Sequence, residues 1–418
     1  MSLFYVKPNG PLRGTVTASG SKNAVLPIMC ACLLTDEICE IYSVPPLLDV
    51  YVLKEIMESM GVWVQFDEKN EVMKIHAKRI SSSDAKHTLW EKIRASFLVA
   101  GPVCARTGKV KVPFPGGCKI GSRPVDLHIK GFENMGMKIR QEFGFIEIKG
   151  RKLKGTEIYL DFPSVGATEN LMMAAVLCEG TTVIENAASE PEIVDLAKFL
   201  NKMGASVTGA GSTKIVIKGV ESLHGAKHRV IPDRIEVGTF MAAAAVTRGD
   251  VTIKNVCFEH IRPAAAKIEE SGVIVEESGK SIRINAEREV RSFDIKTLPF
   301  PGFPTDMQAI FMSILSTAKG TGMITETVFE NRFMHVAELK KMGADIKTDG
   351  RTAVVEGVKK LSGAKVRATD LRAGAALIVS ALAAEGDTEI GDIYHIERGY
   401  CDIDKKLMML GAEIEKRD

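Results

Sequence analysis

The sequence predicts an α/β protein of two similar domains, each made of three repeated units in which apolar helices are enclosed by sheet. Three observations carry this. The chain has 418 residues, more than one hydrophobic core usually serves, and its 45% hydrophobic content is enough to fill two. A motif of helix tail, glycine and strand recurs six times. Between its copies lie six alanine-rich segments that are apolar almost all round.

The glycine motif reads, in order, LKEIMESMGVWVQF, FENMGMKIRQEF, LAKFLNKMGASVTG, AAKIEESGVIVEE, VAELKKMGADIKT and DKKLMMLGAEIEK. Its glycines are Gly61, Gly136, Gly204, Gly272, Gly343 and Gly411, at intervals of 75, 68, 68, 71 and 68 residues. A glycine just past a helix adopts the left-handed cap, and the alternation after it suits a strand with one buried face. The segments before it are amphipathic, so these helices keep a wet side.

The interleaved segments are NAVLPIMCACLLTDE, ASFLVAGPVCARTG, TENLMMAAVLCEG, EVGTFMAAAAVTRG, MQAIFMSILSTAKG and RAGAALIVSALAAEG, followed by strand-like runs such as TTVIENA, DVTIKNV and TEIGDI. Apolar residues on every face argue for burial and close helix approach, and the segments are too short to span a bilayer. A unit of about 70 residues is longer than the common helical solenoid repeats, and no strand is followed by the GxGxxG of a dinucleotide fold. Six units divide into three and three, with the junction in HGAKHRVIPDRIE. The expected domains are residues 23–230 and 231–418, and the first strand, within residues 1–22, is open to either. Two similar lobes offer a cleft that shields a ligand from water.

The 55 basic and 53 acidic side chains leave a net charge of +2, so no global field attracts nucleic acid or an anionic membrane. Without an uninterrupted apolar run of about 18 residues, no membrane insertion is expected either. An anionic ligand must therefore be held by a local cluster. Eight cysteines show neither CxxC nor Cys/His ligand spacing, which argues against a disulfide scaffold and a zinc site. Together with a start, MSLFYVKPNG, that lacks a basic region followed by an apolar run, they predict a reduced cytoplasm.

Polar residues break the repeat at the starts of the buried helices: Lys22-Asn23, Arg94, Glu169-Asn170, Arg234 with Glu236, Asp306, and Asp370 with Arg372. Helix N-termini expose backbone N–H groups and favour anions. Asp306 and Asp370 are readily explained there as caps. Lys22, Arg94, Arg234 and Arg372 oppose the helix dipole and become candidates for anion contacts. Arg332 and Arg398, taken singly, read as solvated or ion-paired arginines; at the mouth of a cleft their forked guanidinium groups suit carboxylate or phosphoryl oxygens.

Cys118 stands apart in PGGCKIGSRPVDLH. Glycines and prolines around it predict a loop, and Lys119 and Arg123 favour thiolate over thiol. Two readings stand, a thiol displayed for reaction or a free cysteine on a surface loop. Under the first, Gly116, Gly117 and Gly121 let the loop close over a substrate. His128 is then either a proton-transfer partner or a satisfied structural histidine.

Taken together, SGSKNAVLP, IRASFLVAGP, PGGCKIGSRPVDLH, VGATENLMMAA, FPTDMQAIF, FENRFMHVAEL and TDLRAGAAL resemble the enolpyruvyl transferases, from about residue 3 to about residue 416. The resemblance implies two inside-out α/β domains, the first strand packing with the C-terminal one, and no metal or organic cofactor. It implies small-molecule substrates only: the enolpyruvyl group of phosphoenolpyruvate passes to the 3-hydroxyl of UDP-N-acetylglucosamine and phosphate is released, a cytoplasmic step of peptidoglycan precursor synthesis. A hydroxyl attacks C2 of an enol ether only as C3 gains a proton, so an acid and a base are both required.

By resemblance Cys118 is that acid, can form an adduct at C2 and is the target of the epoxide fosfomycin, while Asp306 is the base or orients the hydroxyl. Lys22, Arg123 and Arg398 are implied to hold phosphate and stabilise its departure, and Arg332 and Arg372 to face the carboxylate end of phosphoenolpyruvate or to support the closed cleft. Asn23 is implied to contact the amino sugar, Ser164, Val165 and Gly166 the diphosphate, with Arg94 reaching it too. Pro124, Val125, Asp126 and Leu127 accommodate uracil, and Val328 and Glu330 line the sugar region. Two positions depart from relatives that carry lysine there: Leu48 before Asp49, and Phe162 before Pro163. The alternatives are a silent UDP-sugar-binding paralogue and a shikimate-pathway enolpyruvyl transferase, whose relatives lack the cysteine loop.

Overall fold

All six motif glycines take the left-handed conformation, with φ from +82° to +99°. The computed structural model, which describes residues 2–81, 87–116, 125–142 and 144–417, ends a helix just before each of them: Leu48–Ser59, Asp126–Asn134, Pro191–Lys202, Phe258–Glu270, Val336–Lys341 and Ile403–Met408. The residue after the glycine bonds back into the last turn, as Val62 N does to Met57 O at 3.1 Å and Met137 N to Phe132 O at 3.0 Å. A side chain at Gly136, Gly343 or Gly411 would meet nothing within 4 Å, so backbone conformation and not space selects glycine there. Any other residue would cost about 1–2 kcal/mol.

The apolar segments form the buried helices Lys22–Ala31, Ala100–Thr107, Val165–Ala175, Arg234–Val246, Gln308–Leu315 and Leu371–Leu382. Every residue of Leu371–Leu382 is buried, and Ser313 Oγ donates to Ala376 O at 2.9 Å, satisfying a hydroxyl between two packed helices. Short 3₁₀ turns, Arg94–Val99 and Thr305–Met307, introduce the second and fifth of these helices. Glu169 and Asn170 do not sit at a helix start as expected: the helix begins at Val165, with Ser164 as its cap, which puts both in its second turn. No helix among the described residues is long and apolar enough to cross a membrane.

The described chain divides into two units, one drawn from residues 1–19 and 232–418, the other from 20–116 and 125–231. In the first, the four-stranded sheets share one plan: a strand pairs in parallel with a second, which continues antiparallel through a third to a fourth. Arg13–Thr17 thus runs beside Asp250–Lys254, then Ser281–Asn285 and Ile274–Ser278. Ile295–Lys296 begins another such sheet. In a third, Leu3–Val6 lies between Thr388–Gly391 and Ile414–Arg417, where the last repeat has no third strand of its own.

The other unit follows the same plan with Lys227–Arg229 parallel to Ile38–Tyr42 and Glu157–Tyr159 parallel to Thr181–Glu185, and has a three-stranded sheet at Lys109–Pro113, Phe145–Lys149 and Lys138–Glu142. The two units therefore exchange strands. Arg13–Thr17 precedes the helix Lys22–Ala31 but pairs in the first unit, and Lys227–Arg229 precedes the helix Arg234–Val246 but pairs in the second.

Candidate active site

Asp306 belongs to the unit formed by residues 2–19 and 232–417. It lies in the 3₁₀ turn Thr305–Met307, and its carboxylate does not cap the helix that follows. Instead Arg332 donates to Oδ1 at 2.8 Å and Arg372 to Oδ2 at 3.1 Å. Both arginine side chains are 4% exposed, whereas that of Asp306 is 28% exposed, so two buried guanidinium groups hold a carboxylate that is still part-exposed. Burial would lower the pKa of Arg372, but the charge of Asp306, followed by Tyr400 and Asp233, raises it overall. The guanidinium stays charged, and two such groups favour the ionised form of Asp306.

Local structure explains how Arg372 is held. Asp370 caps the helix Leu371–Leu382, accepting from the amides of Arg372 at 2.9 Å and Ala373 at 3.1 Å. Arg372 also donates to Tyr400 Oη at 3.3 Å, and that hydroxyl meets Thr239 Oγ1 at 2.8 Å. His335 is buried beside these groups with Nε2 3.2 Å from Met312 Sδ, and burial pulls its pKa down to about 4, with Asp370 opposing and Arg332 adding to the shift.

Arg234 starts its helix behind the cap Asp233, with its guanidinium 5.8 Å from the ring of Phe300. Glu236 accepts from Ser19 N and from Lys406 Nζ, both at 2.6 Å; burial raises its pKa and Lys406 counters. Val328 is half-buried, Glu330 is exposed with Arg351 at 3.7 Å, and Arg398 is half-buried just beyond Tyr394–Glu397.

In the other unit, Ser21 caps the helix that Lys22 opens, accepting from Ala24 N at 3.4 Å. Lys22 Nζ stands 3.4 Å from Asp49 Oδ2 in the first turn of Leu48–Ser59. The two cations Lys22 and Arg372, expected to oppose their helix dipoles for a ligand's sake, are thus also answered by carboxylates of the chain. Asn23 and Arg94 are half-buried. Ser164 Oγ accepts from Ala167 N at 3.4 Å, with Val165 and Gly166 in the first turn it caps. Leu48 and Phe162 are exposed.

His128 is a structural histidine. It is buried with Nδ1 3.1 Å from Asn170 Nδ2, whose Oδ1 takes the amide of Gly101 at 2.8 Å, and burial with the charge of Arg94 pulls its pKa down to about 3. Glu169 is 4% exposed, and burial, then Glu192 and Glu190, raise its pKa well above the ordinary carboxylate value. Val125 is buried and opens onto Asp126 and Leu127 in the helix Asp126–Asn134.

Cys118, Arg123 and Pro124, with Gly117, Lys119 and Gly121, lie outside the described residues. Burial pushes Cys104 up to about 11 and Cys178 up to about 12, so both are inert at neutral pH. Among the described residues no group of three or more His, Cys, Asp or Glu side chains suits a metal ion.

The sequence reading missed Asp49, Tyr400 and Glu326. Asp49 was visible only as the residue after Leu48. Glu326, in TETVFENR, is 1% exposed, and a carboxylate so close to a candidate arginine in a β-rich run was the available signal.

A family model described as EPSP synthase (3-phosphoshikimate 1-carboxyvinyltransferase) matches residues 6–407. Among curated proteins, the chain is 54% identical over 414 residues to UDP-N-acetylglucosamine 1-carboxyvinyltransferase 1 of Caldanaerobacter subterraneus subsp. tengcongensis, covering 99% of each chain. It is 53% identical over 418 residues to UDP-N-acetylglucosamine 1-carboxyvinyltransferase 2 of Carboxydothermus hydrogenoformans, covering 100% of this chain and 99% of the relative. Among solved structures, the enolpyruvyl transferase NikO from Streptomyces tendae superposes with a TM-score of 0.90 at 25% identity, covering 100% of this chain and 99% of that one. EPSP synthase from Acinetobacter baumannii superposes at 0.78 and 19% identity over the whole of both chains, a likeness of fold alone.

Proposed function

The chain belongs to the EPSP synthase family of enolpyruvyl transferases, and from that premise we propose that it transfers the enolpyruvyl group of phosphoenolpyruvate to the 3-hydroxyl of UDP-N-acetylglucosamine in the cytoplasm, for peptidoglycan precursor synthesis. The acceptor is supported by full-length relatives at 53–54% identity that carry that name. The observation that carries the chemistry is the part-exposed Asp306 carboxylate, fixed by Arg332 and Arg372.

A carboxylate tied to two guanidinium groups is a weak base and a well-placed acceptor. Asp306 therefore orients the sugar hydroxyl first and takes its proton only as the new C–O bond forms and that hydroxyl turns acidic. On the other carbon, Cys118 gives its proton to C3, which makes C2 electrophilic. The tetrahedral adduct then returns a C3 proton to the Cys118 thiolate and expels phosphate from C2, which leaves with the proton held by Asp306, restoring the double bond on the sugar ether. Lys22, Arg123 and Arg398 neutralise the departing phosphate, Asn23 reads the amino sugar, and Arg94 with the Ser164–Gly166 turn takes the diphosphate.

Phosphate release from phosphoenolpyruvate tests the reading. Release is expected with UDP-N-acetylglucosamine and not with shikimate 3-phosphate, and Cys118→Ala should slow it by about 100-fold or more. A requirement for shikimate 3-phosphate would overturn the acceptor, and a full rate in Cys118→Ala would overturn the acid.

A further inference from the structure

Glu326 ends the strand Thr321–Thr325 and is 1% exposed. Its donors are two threonine hydroxyls and two backbone amides. Oε1 accepts from Thr297 Oγ1 at 2.9 Å, from Val328 N at 2.8 Å and from Phe329 N at 3.1 Å, and Oε2 accepts from Thr305 Oγ1 at 2.8 Å. Thr297 Oγ1 in turn accepts from Thr327 N at 2.9 Å. A buried carboxylate costs several hydrogen bonds to keep, so its placement here must be supported by what those bonds organise.

The bonds close a circuit. Thr305 is the residue before Asp306. Val328 and Phe329 begin the loop that delivers Arg332, whose guanidinium lies 5.3 Å from the Phe329 ring and reaches Asp306 Oδ1 at 2.8 Å. The turn bearing the carboxylate and the loop bearing its guanidinium are thus tied to the same buried side chain, on opposite oxygens.

We propose that Glu326 is a positioning residue for the reaction, setting the distance between Asp306 and Arg332 by pinning Thr305 and the 327–329 backbone together. This rests on the role of Asp306 argued above. Without Glu326 the loop and the turn move independently, the guanidinium loosens its hold, and Asp306 becomes easier to protonate.

The test compares Glu326→Gln with Glu326→Ala. Glutamine keeps the circuit: its carbonyl oxygen replaces Oε1, and its amide donates to Thr305 Oγ1. Glu326→Gln should stay within about threefold of the wild-type kcat, with the acid limb of the pH–rate profile unmoved. Glu326→Ala should lose about 10- to 100-fold in kcat, with KM for either substrate changing less and the acid limb shifting to higher pH. Where Glu326→Ala does not fold, Thr305→Val cuts the circuit at its outer link and should reproduce the shift. A readout without turnover is backbone hydrogen exchange of a peptide spanning residues 304–308, expected to speed up about tenfold or more in Glu326→Ala and not in Glu326→Gln. A lowered melting temperature with kcat, acid limb and exchange all unchanged makes Glu326 merely structural and overturns the proposal, as does equal loss in glutamine and alanine. If instead the wild type releases no phosphate with UDP-N-acetylglucosamine, the proposed function fails, and the exchange result still decides the role of Glu326.

Discussion

Asp306 and Asp370 occupy matching places, each after a threonine and just ahead of a buried helix in the same unit, and they do different work. Asp370 turns its carboxylate onto the amides of Arg372 and Ala373 and caps its helix. Asp306 leaves the helix Gln308–Leu315 without a side-chain cap and gives both oxygens to guanidinium groups. The same residue type at the same start satisfies the backbone in one repeat and forgoes that for a part-exposed acceptor held by two guanidinium groups in the other. A helix end left uncapped beside paired arginines is the mark of a position kept for chemistry.

Substitution by asparagine is the strongest way to break this comparison. The amide keeps the shape of the side chain but not its charge, so Asp306→Asn should slow phosphate release by about 10²–10⁴-fold. Asparagine caps as well as aspartate, so Asp370→Asn should cost less than about tenfold. Equal losses in the two variants would mean that the positions are equivalent after all.

A smaller effect concerns His335, which Asp370 faces. Its folded pKa of about 4 is below the ordinary value of 6.5, chiefly because of burial. The unfolded chain therefore binds the extra proton first: stability is fully present above about pH 6.5 and is lost as pH falls toward 4. His335→Gln should flatten the fall in melting temperature across that window. An unchanged slope would remove the burial argument. The smallest effect is expected for Asp370→Ala, which loses the cap and should cost about 1 kcal/mol in a denaturant titration, an amount that Asp370→Asn should restore.

Much of the fold was legible because its signals are local. A left-handed glycine and the alternation after it depend on residues a few positions apart, and all six were readable in order. The apolar helices were equally plain. The Ser164 cap was not: the VGATEN segment reads as polar at Glu169 and Asn170, and only the coordinates show a helix already under way, with Glu169 buried in its interior and Asn170 serving His128. Cys118 was singled out by its loop composition, which is again a local property.

By itself, then, the sequence determined the repeat, its glycine caps, the buried character of the alternate helices and the candidate residues, because each follows from the dihedral preferences and polarity of neighbours along the chain. Tertiary structure alone decided the exchange of Arg13–Thr17 and Lys227–Arg229 between units, the pairing of Lys22 with Asp49, and the choice of Asp306 over Asp370 as the clamped carboxylate. Those outcomes join groups 26 to 237 positions apart, and the energy of such a contact depends on which partners packing brings within about 3 Å, which no spacing in the chain encodes.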